Sequence, residues 1–235
     1  MVTFENWKSP CAFILKLLLT VFSVSPAWAQ ERGKLADDPT NIVTKLGVSY
    51  NDDFAISGSL AFGPFTKLNA RVSETGEWSF GGSYLFGFGI INISAARSAL
   101  SNGFEQTRYS LGSFAPILRK EGDPRAWQVF ATFGFNYTEG EAGDIEFSAE
   151  YVGSFSMTSK GGYIGAMALK PLSDQWTFRG MTILSKGSDY YSGYALGGGF
   201  SYYLTDRDTL SVMAFYSDNS FGENDSFGFG YQREF

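Results

Sequence analysis

The sequence has no histidine and a single cysteine. Without histidine there can be no Ser-His-Asp triad, no Cys-His pair and no histidine metal ligand. One cysteine excludes an internal disulfide and a cysteine-rich zinc site. Basic residues are outnumbered, 18 Lys and Arg against 24 Asp and Glu, for a net charge of −6. That balance argues against a nucleic-acid partner, because a phosphate-binding surface needs a basic excess. After residue 29 there is no sustained helical period and no apolar run of the length that crosses a bilayer as a helix, about 20 residues. What the 235 residues do contain is 28 Gly, 23 Phe, 13 Tyr and 5 Trp. This composition fits neither a disordered chain nor an ordinary helical domain.

Residues 1–29 read as a secretory signal. Lys8 and Lys16 supply a positive start, residues 17–24 form a short apolar run, and Ala27-Trp28-Ala29 after Pro26 is a small-x-small cleavage site. Cleavage is expected after Ala29. Cys11 precedes the apolar run, so it is not a lipid-attachment cysteine and leaves with the signal. Residues 30–41, with Gly33, Asp37, Asp38 and Pro39, form a short polar leader. The remaining residues, 42–235, carry a different pattern.

That pattern is alternation with period two. Trp127, Val129, Ala131, Phe133, Phe135 and Tyr137 alternate with Gln128, Phe130, Thr132, Gly134, Asn136 and Thr138. Similar rows run through 54–62, 78–88 and 145–157. Clusters rich in Gly, Asp, Asn and Pro separate them, at 51–53, 63–64, 74–76, 119–125, 139–144, 159–162, 171–174, 186–189, 205–208 and 218–225. Such connections are too short for helical crossovers, so the strands are antiparallel. Twelve strands are expected, near 42–51, 54–63, 65–73, 77–96, 105–118, 127–138, 145–157, 160–170, 175–186, 189–204, 208–217 and 226–235. Ten is the alternative count. The apolar phase slips inside 77–96, which predicts a bulge or a break there.

The strands are long. Trp127 and Tyr137 are ten residues apart, roughly 33 Å along a strand. Tilted by about 40°, that length covers about 25 Å of height, the apolar band of a membrane barrel. Amphipathic rings at both limits suit the two membrane interfaces. The reading is all-β: an antiparallel transmembrane β-barrel. Closure removes the unpaired edges that hydrocarbon forbids.

Phe227, Phe229, Tyr231 and Phe235 lie on one face of the last strand. This strand resembles the terminal strand of bacterial outer-membrane β-barrel proteins, which ends in Phe and is read by the barrel-assembly machinery. The resemblance implies that these four residues are an assembly signal, that the chain resides in a Gram-negative outer membrane, and that its partners are that machinery, outer-membrane lipids and lipopolysaccharide. Arg233 departs from the pattern, where an apolar residue or Tyr is usual. The chain is also similar in size to small outer-membrane channels.

The opposite rows would face the lumen. They place Lys45, Lys67, Asn69, Arg71, Arg108, Glu146, Glu150 and Arg179 there as candidate pore-lining residues. Opposed charges on such a wall can screen solutes. Gly193, Ala195, Gly197, Gly199 and Ser201 form an inward row nearly free of side chains, which suggests space. Phe114, Phe130, Met181, Met213 and Phe215 also fall on inward phases. A calcium site at Asp218, Asn219, Glu223, Asn224 and Asp225 fits less well than a solvated acidic loop. Glu146 and Glu150, four apart on one strand face, are roughly 13 Å apart, too far for a glycosidase pair. No enzyme activity and no cofactor are expected. The leading expectation is a passive channel for small polar solutes. The alternatives are a non-conducting structural or surface-interaction barrel, and a soluble exported β-sandwich that binds a ligand. With both termini periplasmic, the outer loops would be 51–53, 74–77, 119–125, 159–162, 186–189 and 218–225.

Overall fold

A computed structural model describes residues 34–101, 103–120, 122–146 and 152–235, with the side chains of 142–146 and 152–155 outside that description. The described residues form twelve strands: β1 Lys45–Asn51, β2 Asp53–Phe62, β3 Thr66–Ser73, β4 Trp78–Phe86, β5 Gly89–Ala99, β6 Phe104–Arg119, β7 Gln128–Glu146, β8 Val152–Pro171, β9 Trp176–Gly187, β10 Ser192–Tyr203, β11 Asp208–Asn219 and β12 Gly222–Glu234. Each pairs antiparallel with its sequence neighbours, and β12 pairs with β1 from Lys45↔Glu234 to Tyr50↔Phe229. The sheet is therefore one closed barrel. A two-sheet sandwich, the soluble alternative, is excluded by that closure.

An even strand number puts the start of β1 and the finish of β12 at the same end, here called the terminal end; the other is the distal end. Alternation sorts the side chains as the sequence pattern requires. On β7, Phe133 and Phe135 point outward and are exposed, whereas Phe130, Thr132 and Thr138 point inward and are buried. The outward face of the whole barrel is apolar, from Val48 and Ile56 to Phe227 and Phe229. Its aromatic residues gather in two belts. Near the terminal end Trp176 packs on Tyr202 at 4.8 Å and Tyr84 on Phe86 at 4.6 Å. Toward the distal end Tyr109 stacks on Tyr137 at 6.2 Å and Tyr194 packs on Tyr216 at 5.9 Å. Rings with polar tips at two levels match the two interfaces of a bilayer. An apolar hollow in this outer wall, about 1180 Å³, lies among Leu46, Leu60, Leu68, Phe80 and Ile93 where Gly58, Ala70 and Gly82 keep the surface low.

Several expected boundaries shift. The 77–96 segment breaks into β4 and β5 at Gly87 and Phe88, with Phe86 paired to Gly89. The expected strand 145–157 does not exist as a unit: β7 runs on to Glu146 and β8 starts at Val152. The expected turn at 139–144 is strand, because β7 continues past the Tyr137 belt, where Glu139 and Glu141 meet water instead of lipid. The expected loop at 159–162 is also strand. Gly161 pairs with Gly187, and a Cβ on Gly161 would strike the backbone of Lys186 and Gly187. The glycines there serve close strand approach, not turning. The connection at 119–125 lies at the terminal end rather than the outer one. The 218–225 segment is mostly strand, with a tight connection at Ser220 and Phe221.

One close approach depends on glycine. The inward ring of Tyr163 on β8 lies across Gly134 of β7 and Gly112 of β6, and a Cβ at Gly112 would overlap its hydroxyl. Gly112→Leu should therefore lower the urea stability of the folded barrel by about 1–3 kcal/mol through overpacking. Gly82→Ala, whose Cβ would meet only Leu68 and Ile93 side chains at 3.4 and 3.8 Å, should stay within about 0.5 kcal/mol of the parent. Equilibrium unfolding in detergent, followed by tryptophan fluorescence, checks both.

Candidate functional site: a lumen plugged at one end and partly covered at the other

The inward rows build two adjoining spaces. The distal one, about 900 Å³, is lined by Arg71, Gln106, Arg108, Asn136, Ser217 and Asn224 among others. The second, about 440 Å³, lies among Lys45, Ser59, Lys67, Asn69 and Asn92, with Pro39 of the leader at its edge. Arg71, Ser94, Phe114 and Tyr163 border both spaces, so they form a waist.

At the distal rim Arg71 of β3 lies 4.0 Å from Asp53 of β2 and 3.6 Å from Glu77. Thr75 donates to Asp53 through its hydroxyl. Glu77 also accepts the Ala99 N–H at 2.9 Å, which ties the 74–77 turn to β5. Deeper in, Arg108 donates to the Tyr191 hydroxyl at 3.1 Å.

A chord crosses the distal mouth. The 100–103 connection and the β11–β12 hairpin belong to opposite sides of a twelve-strand ring. Ser101 nevertheless donates its N–H to the Glu223 carbonyl at 2.9 Å, and Asn224 Nδ2 donates to the Ala99 carbonyl at 2.9 Å. Leu100, Tyr191 and Phe221 bury against one another beside this chord, with Phe104 and Met157 packed on them. The Phe221 ring reaches Gly140 on β7, 3.2 Å from where a Cβ would stand. The chord and its apolar cluster cover the half of the mouth over β6–β11. The half over β12 and β1–β5, rimmed by Asn51, Asp52, Thr75 and Ser98, opens into the distal space.

The terminal end is closed differently. The leader, residues 34–44, enters the lumen instead of hanging outside it. Asp37 Oδ1 accepts from Arg179 Nη1 of β9 at 2.7 Å. Asp38 Oδ2 lies 3.7 Å from Arg119 Nη1 of β6. Lys67 Nζ of β3 donates to the Asn41 carbonyl at 2.7 Å, and Lys45 Nζ of β1 to the Ala36 carbonyl at 3.5 Å. Asp38 also folds the segment on itself, accepting from the Thr40 N–H at 2.8 Å and hydroxyl at 2.7 Å. Ser59 Oγ then donates to the Val43 carbonyl at 2.7 Å and fixes the exit into β1.

The candidate pore-lining residues can now be placed. Lys45, Lys67, Asn69, Arg71, Arg108 and Arg179 all lie on inward rows. Lys45, Lys67 and Arg179 are held by the leader, and Arg71 and Arg108 belong to the distal closure. The Glu146 side chain and all of Glu150 lie outside the described residues. Arg119 is the cation that the periodicity reading missed. It stands at the strand terminus, where an assumed turn hid its phase. The small-residue row of β10 does not give open space. Met181 and Phe215 lie 3.1 and 3.2 Å from where a Cβ on Gly197 would be, and the Met213 side chain fills the room over Gly199. Large inward neighbours use the volume the glycines leave. Among the residues described no cluster of acidic, His or Cys side chains suits a metal, and Glu223 and Asn224 make other bonds.

Phe227, Phe229, Tyr231 and Phe235 form an outward row on or beside β12. Arg233 shares that outer face and pairs with Asp208 Oδ1 at 3.0 Å, and the Tyr231 hydroxyl donates to the same carboxylate at 2.6 Å. Its charge is thus met at the interface belt.

No family model matches the chain, and no curated protein matches it in sequence. Solved structures do resemble it. The translocator domain of the autotransporter NalP from Neisseria meningitidis superposes with a TM-score of 0.59 at 12% identity, covering 84% of this chain and 90% of that one. An outer-membrane channel from Pseudomonas putida F1 gives a TM-score of 0.48 at 10% identity over 90% of this chain and 100% of that one. The NanC porin gives 0.45 at 10% identity over 82% and 98%. At these identities the likeness is one of fold. The fold is that of the bacterial outer-membrane β-barrels.

The distal chord rests on few bonds. Asn224→Ala removes one of its two hydrogen bonds, about 1 kcal/mol of local stability. Hydrogen exchange at the Ser101 amide should quicken about fivefold, with exchange in β9 unchanged. Mass-spectrometric exchange on the detergent-solubilised protein measures this.

Proposed function

We propose that this protein is an outer-membrane barrel that passes small polar solutes by diffusion. One observation carries the reading: two spaces, each lined in part by charged side chains, adjoin at Arg71 and Tyr163 inside a closed barrel wall. A structural barrel has no need to keep unfilled, charge-lined volume of this size. The terminal end faces the periplasm in this reading, after removal of residues 1–29 as a signal. The Phe227, Phe229, Tyr231 and Phe235 row is then the signal for the assembly machinery, and lipids and lipopolysaccharide surround the aromatic belts. The reading assigns the protein no catalysed reaction and no nucleic-acid partner.

A second reading, a non-conducting barrel, is favoured by the presence of a closure at each end. The two are separated by planar-bilayer recordings in KCl of about 1 M. The channel reading expects unitary steps. It also expects Arg71→Glu, at the waist, to move the reversal potential in a KCl gradient toward cation preference. Silence from an inserted, heat-modifiable barrel would leave the non-conducting reading.

A further inference from the structure

The leader and the wall residues that hold it are more specific than a stopper requires. Lys45, Lys67, Arg119 and Arg179 come from β1, β3, β6 and β9, spaced around the ring, and all four converge on leader oxygens. Two of those oxygens are carboxylates on consecutive residues, Asp37 and Asp38, whose side chains are 8% and 0% exposed. Burying two carboxylates is costly unless cations meet them. Arg119 keeps part of its side chain in solvent, whereas Lys45, Lys67 and Arg179 sit deeper and depend more on the leader for partners. The Arg179 Nε–H finds no protein acceptor, and Asp37 Oδ2 and Asp38 Oδ2 find no hydrogen-bond donor, so the leader and the ring do not saturate one another.

We infer that the terminal end of the lumen is an oxyanion-binding constriction, and that the chain's own Asp37-Asp38 pair occupies it as an internal ligand. The external ligand is a small anion carrying two or more carboxylates or phosphates, able to present the paired charge that the leader presents. Such an anion competes with the leader for the four cations. When it wins, the leader leaves the ring, and the terminal end becomes a cationic aperture that favours anions. The transport consequence rests on the channel reading above; the binding site does not.

The test therefore uses two readouts on the detergent-extracted protein. The first is the reactivity of a cysteine at position 41, in a Cys11→Ser background, toward a membrane-impermeant maleimide. The Asn41 side-chain nitrogen makes no hydrogen bond, and Lys67 binds its backbone carbonyl, so Asn41→Cys leaves the leader's contacts in place. Labelling should be slow in KCl and about tenfold faster in citrate at equal ionic strength, the change expected for displacing a charge-assisted bond. Asp37→Asn with Asp38→Asn should label fast without citrate. Equal rates in citrate and KCl overturn the anion site, and slow labelling of the Asp double variant overturns the internal ligand. The second readout is the reversal potential in a KCl gradient. The Asp double variant should be more chloride-selective than the parent, and Arg119→Gln with Arg179→Gln less so. Lys67→Gln replaces the arginine pair if that variant fails to give a heat-modifiable band. Conductance with unchanged selectivity in the Asp variant refutes the inference and keeps the channel. Bilayer silence with citrate-driven labelling refutes the channel and keeps the site.

Discussion

Everything in this structure follows from the need to pair each backbone N–H and C=O across a layer that contains no water. An open twelve-strand sheet would leave the facing edges of β1 and β12 unpaired, and each unsatisfied group in hydrocarbon costs several kcal/mol. The Lys45–Tyr50 register against β12 removes both edges at once. Closure then divides the side chains into two sets, with Ile117 and Leu118 both exposed where β6 bulges. Outward rows meet lipid and can only be apolar or belt-forming. Inward rows are cut off from lipid, so polar residues there need one another or water, and Gln106, Asn136, Thr138 and Ser201 each keep a polar atom without a protein partner.

That second condition explains where the polar contacts gather. Ser, Thr, Asn and Gln fill the middle of the lumen, while the charges cluster at the ends. At the distal end Arg71 meets Asp53 and Glu77, which are close to it in the ring. At the terminal end the wall supplies cations without enough acids, and the leader brings the missing carboxylates. The two closures therefore differ in kind. The distal chord is mostly backbone bonding and apolar packing, from Ser101, Leu100, Tyr191 and Phe221. The terminal plug is mostly electrostatic, so a competing anion acts on it and not on the chord, while its buried carboxylates are screened little by simple salt.

The legibility of this fold in the sequence has a physical boundary. Within the apolar band the alternation is enforced by lipid, and the row from Val129 to Tyr137 is placed correctly on β7, with Trp127 just before it. Beyond the band that pressure ends. Glu139 and Glu141 have the composition of a turn, yet they lie in a strand that continues into water, and the Gly161-Gly162 pair lies in β8 opposite Asn136 and Phe135. The expected count of twelve agrees with the structure because two misreadings compensate: 77–96 holds two strands, and 145–157 is shared between β7 and β8. The inward cations were assigned the right face, since phase alone decides that. Their partners were not legible, because Asp37 and Arg179 are 142 residues apart and the leader has no periodicity to announce its position. The β10 glycine row failed for a related reason. A row lacking side chains shows where volume is free but not which neighbour fills it, and Met181, Met213 and Phe215 fill it here.

The charge of the chain illustrates the same division between global and local quantities. A net charge of −6 suggests a protein that repels anions. The acids responsible are spread over the rims and turns, at Asp52, Glu74, Asp123, Asp174 and Asp206, where water and salt screen them. The cations of the lumen sit between low-dielectric walls, where a charge acts over a longer range. Asp37 and Asp38 of the leader, together with the buried Glu234 of β12, are the acids that face the terminal cations from within the lumen. The charge presented at the terminal end of the lumen thus depends on the leader as well as on the composition of the wall.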